Sequence, residues 1–294
     1  GNVIAPEDIL KKYGADILRI WVASSNYAED LRIDYSILDQ HADSYRKIRN
    51  TFRYLLGNIN DEYKEFDLEK INLNNLPELE QFMLHKIYML NMNFKKYFKN
   101  YDFHNLYKEL LNFCTVDLSA FYFDIRKDCL YCDTKNSHKR QSTVSILNII
   151  LGALLKWFAP ILSFTTEEIY QLIGMRKSIH LENFVEYPSS FKNENLNSKW
   201  KELIEIRNIC NLSIEEKRAK KIIGSSLDAS LLLRLNKKKL ELVKNIDFAE
   251  LCITSSAKIE ETDQDDIIVE TQKAEGNKCP TCWKISKDPC ERHG

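Results

Sequence analysis

Glycine and proline are scarce in this sequence, 8 and 6 among 294 residues. So few structure-breaking residues exclude a fold built on many tight turns and favour long helices. Neither sign of charge is in excess: 42 Lys and Arg against 43 Asp and Glu leave a formal net charge of −1. A polyanion would therefore be met by local basic patches, not by the field of the whole molecule. No apolar run approaches the roughly 20 residues that span a bilayer, and the N-terminus lacks the basic-then-apolar pattern of a signal peptide. The chain reads as cytoplasmic, with no membrane partner. It holds no Gly-rich phosphate cradle, no internal repeat and no low-complexity tract. His41, His85, His104 and His180 have no acidic or nucleophilic partner that spacing identifies, so none is assigned catalysis. What is present is ordinary for a globular protein, 44% hydrophobic and 29% charged, with length for two or three domains.

The eight cysteines are unevenly spread. Cys114, Cys129, Cys132, Cys210 and Cys252 are scattered, whereas Cys279, Cys282 and Cys290 crowd the end of the chain. Such clustering indicates metal ligation in a reducing compartment more than a disulfide framework. In KCPTCWKISKDPCERHG, Cys279 and Cys282 form one pair and Cys290 and His293 a second. Zinc takes four N or S ligands in a tetrahedron, and two short turns can present two each. The segment is too small for a core of its own, so metal would supply its folding free energy. The competing reading is a frayed tail with free thiols. Trp283 and Lys284, next to the first turn, are candidates for stacking on an unpaired base and reaching a phosphate; Trp283 is equally a hydrophobic prop against its neighbours. Cys129 and Cys132 also make a CxxC near His138, but without a second pair they read as a coincidence at a helix end. Cys114 reads as a small core residue.

The stretch from Asp39 to Ile59 serves two surfaces. At helical spacing Ile48, Phe52, Leu55, Leu56 and Ile59 form one apolar face, and Arg46, Arg49 and Arg53 form a stripe roughly 100° away around the axis. Such a row suits phosphates spaced along a nucleic-acid backbone, because each guanidinium offers a planar fork of donors. The plainer reading is a solvated charged edge. Before it, two short helices break at Gly14, the first with Pro6 in its opening turn, and an extended segment follows. After it, residues 78–99 and 102–126 carry apolar residues at helical spacing, as does Ser142 to Phe158. Thr165 and Glu168 have the spacing of a capping box that starts another helix. Residues 179–197 read as a crossover. A long helix from about Trp200 to Lys220 ends in the basic run Lys217, Arg218, Lys220 and Lys221, further candidates for phosphate contact. Ala229, Leu231, Leu233 and Leu235 then alternate as in a strand buried on one face. A short helix from Lys237 to Asn245, a second strand from Leu251 to Thr254 and a third from Ile267 to Thr271 complete a small α/β module.

Taken together, several of these stretches resemble one family. GNVIAPEDILKKYGADILRIWVASSNYAEDLRI is similar to the segment that follows the KMSKS signature in class Ia aminoacyl-tRNA synthetases. Ala5-Pro6, Trp21-Val22-Ala23-Ser24 and DSYRKIRNT from Asp43 to Thr51 resemble the isoleucine-specific branch more than the valine or leucine branches. The likeness runs on through NYDFHNLYKELLNFCTVDLSAFYFDIRKD, WFAPILSFTTEEIY and IIGSSLDASL to KCPTCWK, covering nearly the whole chain.

The resemblance implies a mainly α chain in four parts. These are a stem-contact segment at 1–36, a helical anticodon-binding bundle at 37–178, a long helix with the α/β module at 179–272, and a zinc knuckle at 273–294. The partners it implies are isoleucine tRNA and the catalytic domain of the same polypeptide, the whole acting as a monomer. The parent enzyme would use ATP and Mg2+ to attach isoleucine to its tRNA. With no HIGH-like sequence, no KMSKS loop and no editing insertion in these residues, this portion alone is not expected to be catalytic. One structural zinc ion is implied. The family typically has a cysteine where His293 stands, so the fourth ligand is His293 or a residue beyond Gly294. The alternative is a non-enzymatic, zinc-containing helical scaffold for protein partners.

Overall fold

The structure is a computed structural model that describes residues 4–59 and 63–293. It forms two compact units, Gly1–Asp124 with Lys135–Lys192, and Ile125–Thr134 with Asn193–Gly294.

The first unit is a helical bundle. Helix α1 (Pro6–Tyr13) and helix α2 (Ala15–Ser24) meet at Gly14, whose φ of +83° makes the break. Helix α3 (Tyr35–Asn58) starts earlier than its hydrophobic period shows, because the Asp34 carboxylate accepts from the Ile37 N–H and so caps the first turn. Helix α4 (Glu78–Lys99) and helix α5 (Phe103–Asn112) follow. From Phe113 to Phe123 the chain winds as a π-helix, and α6 (Asp124–Cys132) continues it. The helical run that sequence spacing ends near residue 126 therefore reaches Cys132. Helix α7 (His138–Phe158) is capped by Ser137, and α8 (Ser163–Leu172) completes the bundle.

The apolar face of α3 lies where its period puts it: Ile48, Phe52, Leu55 and Ile59 are buried. Phe52 meets Phe158 edge-on and Tyr54 stacks on Phe123. Several polar groups taken into this core are paired, although the buried Tyr107 hydroxyl is not. Trp157 donates to Asn91 at 3.0 Å, Asn91 donates to the Val185 carbonyl, and Tyr122 and Thr143 both donate to Glu80. Among the described residues α7 is long and apolar enough to cross a membrane by length and composition, which the sequence reading had excluded. Its most apolar window is 72% buried within the protein, as befits the central helix of a bundle.

Helix α8 begins at Ser163, so Thr165 lies inside its first turn and not at a capping box. The cap comes from far away in sequence. The buried Asp16 carboxylate of α2 accepts from Phe164 N at 3.3 Å, Thr165 N at 2.8 Å and Thr165 Oγ1 at 2.6 Å. A carboxylate at a helix N-terminus satisfies orphan donors and complements the helix dipole.

In the second unit α9 (Glu194–Ala219) is capped by Asn193. Strand β1 (Ala229–Leu235) alternates buried and half-buried residues along its length. Helix α10 (Lys237–Val243) and helix α11 (Phe248–Leu251) follow, then β2 (Ser256–Glu261) and β3 (Ile268–Lys273). The sheet order is β2-β1-β3, with β1 parallel to β2 and antiparallel to β3. The expected strand at 251–254 is instead the end of α11 and its turn. Asp247 caps that helix by accepting from Glu250 N, and Ile253 turns the chain at φ +57° with Thr254 N bonded back to the Ala249 carbonyl. The buried Arg126 of α6 pairs with Glu250 of α11 at 2.8 Å. A hairpin of β4 (Asn277–Lys278) and β5 (Ile285–Ser286) ends the fold.

Replacing Asp16 with Ala leaves buried helix-start donors without their acceptor and should cost about 2 kcal/mol. Urea denaturation checks this; an Asp16→Ala chain as stable as the parent would remove the cap from the account.

Candidate metal centre and nucleic-acid interface

The β4–β5 hairpin is built to close on itself. At Gly276, φ is +123° and an added Cβ would lie 2.1 Å from the Ser286 carbonyl oxygen, so only glycine fits. Cys279 N donates to the Lys284 carbonyl and Trp283 N to the Cys279 carbonyl, folding CPTC into a turn with both thiols on one side. The Cys290–His293 turn closes against it, with His293 N bonded to the Cys290 carbonyl.

The ligand atoms of Cys279, Cys282, Cys290 and His293 all lie within 4.8 Å of one another. Cys282 Sγ is 3.8 Å from Cys290 Sγ, and His293 Nδ1 is 3.6 Å from Cys279 Sγ and 3.4 Å from Cys290 Sγ. Around a tetrahedral ion with bonds of about 2.3 Å to sulfur and 2.0–2.1 Å to nitrogen, the edges are roughly 3.8 Å between sulfurs and 3.6 Å from sulfur to nitrogen. The three edges given match these values and all four donors lie within 4.8 Å, so the four residues, His293 among them, could hold such an ion. Three thiols and an imidazole suit a borderline-soft cation such as Zn2+.

The protonation states lean the same way at two corners and against it at two. The Cys282 backbone N–H, helped by that of Thr281, draws the Cys279 thiol down to about 6. The Arg292 backbone N–H lowers Cys290, whereas burial raises Cys282. The Cys132 carbonyl, 2.9 Å from His293 Nε2, raises His293. That same bond fixes the ring so that Nδ1 faces the thiols, an orienting partner of the kind found behind metal-ligating histidines.

A second set of contacts escaped the sequence reading. Arg292 Nη1 lies 2.8 Å from Asp128 and 2.7 Å from Asp133, and Nη2 is 3.1 Å from Asp128. With the His293–Cys132 bond, this fork holds the knuckle on the last turn of α6. Cys132 itself lies beside the cluster and not in it; its thiol faces the Thr281 carbonyl at 3.6 Å. Burial raises that thiol to about 11. No local pattern announces pairs so far apart in the chain. The only hint was Cys132, set aside as half of an isolated CxxC.

The basic candidates fall into two groups. Arg46, Arg49 and Arg53 are all exposed along α3. Arg46 pairs with Asp43 one turn away, while among the described residues no carboxylate pairs with Arg49 or Arg53. Lys217 and Arg218 lie in the last turn of α9, Lys217 half-buried and Arg218 exposed and 2.6 Å from Glu215. Lys220 and Lys221 are exposed beyond it. Trp283 is 60% exposed, with Lys278 Nζ 5.9 Å from its ring, and Lys284 is half-buried.

Residues 80–233, more than half of the chain, match the family model described as the anticodon-binding domain of tRNA ligase. The chain belongs to this family. The anticodon-binding domain is preceded by residues 1–34, which match the model of class I tRNA synthetases (I, L, M and V). Relatives of this anticodon-binding chain include the isoleucine–tRNA ligase of Pelagibacter ubique, 71% identical over 100% of this chain and 32% of that protein. Those of Agrobacterium fabrum and Kosmotoga olearia are each 39% identical, over 98% and 97% of this chain and 31% and 32% of theirs. The chain thus spans about a third of the length of the curated relatives it matches. Among solved structures, an Agrobacterium radiobacter LeuRS–tRNA–LeuAMS complex gives a TM-score of 0.48 at 13% identity, covering 66% of this chain and 22% of that one.

Metal has to displace the proton that burial favours on Cys282 and compete with the one favoured on His293, so its affinity should rise with pH. At least about tenfold per pH unit between 6 and 8 is expected for Zn2+ in a competition titration with a chromophoric chelator. A flat profile would show that the four donors are not the binding set.

Proposed function

We propose that this chain is the tRNA-gripping part of an isoleucine–tRNA ligase. The observation that carries the reading is 71% identity along the whole chain to a protein of that name. On this reading residues 1–36 contact the inside of the L-shaped tRNA near the catalytic domain, 37–178 grip the anticodon arm, and 179–272 carry the knuckle at 273–294, which contacts the anticodon region. Isoleucine tRNA is the macromolecular partner, and the working enzyme is a cytoplasmic monomer. Formation of the aminoacyl-adenylate from ATP, with Mg2+, and transfer of isoleucine belong to the catalytic domain of the same polypeptide. No residue here is given a catalytic role.

The knuckle takes one zinc ion on Cys279, Cys282, Cys290 and His293. With four protein donors the site is closed, and the ion supplies folding free energy and rigidity. Around it the chain's own residues do the recognition. Arg46, Arg49 and Arg53 present guanidinium forks along an exposed edge of α3, with Lys217, Arg218, Lys220 and Lys221 as a second basic site and Lys284 on the knuckle. Phosphate contacts of this kind set register, and unstacked bases supply sequence information through stacking and edge hydrogen bonds. The near-neutral net charge makes the interaction one of patches, with the steep salt dependence that counterion release imposes.

Arg49 is the sharpest probe, since it is exposed and pairs with no carboxylate among the described residues. Arg49→Ala should weaken binding of an isoleucine tRNA transcript and lower the slope of log affinity against log salt by about one. An unchanged slope takes Arg49 out of the interface. In the same assay, preference for the native over a swapped anticodon should vanish on zinc chelation; a preference that survives chelation would place base reading away from the knuckle.

A further inference from the structure

The two halves of the four-donor cluster hang from different parts of the second unit. Cys279 and Cys282 sit at the β4–β5 hairpin, which the α/β module holds: Ile285 N donates to Ser255 Oγ at 2.7 Å, and Lys278 Nζ lies 3.6 Å from Asp228. Cys290 and His293 lie past the hairpin, and contacts from the last turn of α6 reach them. Arg292 stands between these two donors in the chain. Its guanidinium forks onto both carboxylate oxygens of Asp128, at 2.8 and 3.1 Å, and onto Asp133 at 2.7 Å, while His293 Nε2 meets the Cys132 carbonyl at 2.9 Å. Beside these contacts a cleft of about 260 Å³ opens between α6 and the CPTC turn, so on that side polar bonds, not packed apolar groups, make the junction.

This junction is more than a tie for a loose tail. The fork is sheltered: the side chains of Asp128 and Asp133 are 22% and 14% exposed, against 72% and 76% for the knuckle's open pair Lys287–Glu275. A bidentate guanidinium fixes direction as well as distance. Cys132 ends α6, and its carbonyl belongs to the set that a helix leaves without an internal partner, at the negative end of the helix dipole. An acceptor of that kind behind a ligating histidine holds ring and tautomer in place.

We propose that the last turn of α6 is the outer support of the metal centre, with Arg292 as a positioning residue. Its fork on Asp128 and Asp133 sets where Cys290 and His293 stand, so the affinity for zinc depends on α6. The inference rests on the reading of the knuckle as a zinc site and adds to it a second, sequence-distant element. Charge alone favours the opposite outcome. Removing a cation beside the cluster draws Zn2+ in more strongly, whereas removing a positioning fork lets two donors wander and weakens binding.

The test is the zinc affinity of the 294-residue chain, by competition with a chromophoric chelator at one fixed pH, for the parent, Arg292→Ala, Arg292→Lys and Lys287→Ala. Arg292→Ala should bind Zn2+ about 10- to 100-fold more weakly. Arg292→Lys keeps the charge and loses the fork, and should fall between the two. Lys287→Ala removes a cation from the same knuckle, one paired with Glu275, and should stay within about threefold of the parent. Asp128→Asn added to Arg292→Ala should cost less than Asp128→Asn alone, because the two residues act through one contact. Saturated with Co2+, parent and variants should share the visible spectrum of a tetrahedral thiolate site, since the donors are kept and only their placement is loosened. Parent-like or tighter binding by Arg292→Ala overturns the support by α6 and leaves the zinc reading standing. So does an equal loss in Lys287→Ala, or a changed spectrum in Arg292→Ala, which would mean a lost donor. A parent chain that binds neither ion at one equivalent removes the zinc reading and this support together.

Discussion

Three sulfurs and one imidazole nitrogen held within 4.8 Å of one another are the constraint on which the C-terminal part of this chain depends. The knuckle around them has strands of two residues and almost nothing apolar to bury. Hydrophobic burial cannot fold so short a segment. A cation can, since it turns four mutually crowded polar groups from a liability into the strongest local attraction. The position of Trp283, the reach of Arg292 and the width of the cleft beside α6 all follow from whether those four groups are drawn together.

The bundle is organised by a different economy of groups. Few glycines are available to end helices, and the chain manages without them. Tyr101, Lys221 and Ile253 take the left-handed conformation just beyond α4, α9 and α11, and the N–H of the next residue reaches back to the helix each time. Such ends cost more than a glycine would. Some buried polar groups are matched in pairs, Trp157 with Asn91 and Tyr122 with Glu80, which pins neighbouring helices in one register where an all-apolar core would leave more freedom.

What was legible from the residues was what is local. The face of α3 follows from a 3.6-residue period and the alternation in β1 from a two-residue period, and the clustering of Cys279, Cys282, Cys290 and His293 from spacing within fifteen positions. What was not legible needed a partner from elsewhere in the chain. The start of α8 is set by Asp16, 149 residues from Thr165, so Thr165 and Glu168 suggested a cap that the helix does not use. The segment at 251–254 was ambiguous because a run of four apolar residues suits a strand or a helix end equally; the Asp247 cap decided it. The π-helix from Phe113 to Phe123 gave no warning, since its buried residues still recur at a helix-like interval. That α6 underlies the knuckle is the largest surprise: Cys132, read as half of a chance CxxC, lies beside the four clustered donors.

The pairing of Arg292 with Asp128 spans 164 positions and sets a timetable for biogenesis. A ribosome adding about 5–20 residues per second makes α6 roughly 8–33 s before the arginine that fastens to it emerges. Throughout that interval Asp128 and Asp133 are solvated without their counter-charge, and the Ile125 and Tyr131 side of α6 has no knuckle against it. The bundle can close meanwhile, because its contacts are complete by residue 192. The second unit is thus completed after the bundle, once the knuckle has been made and Arg292 can reach α6.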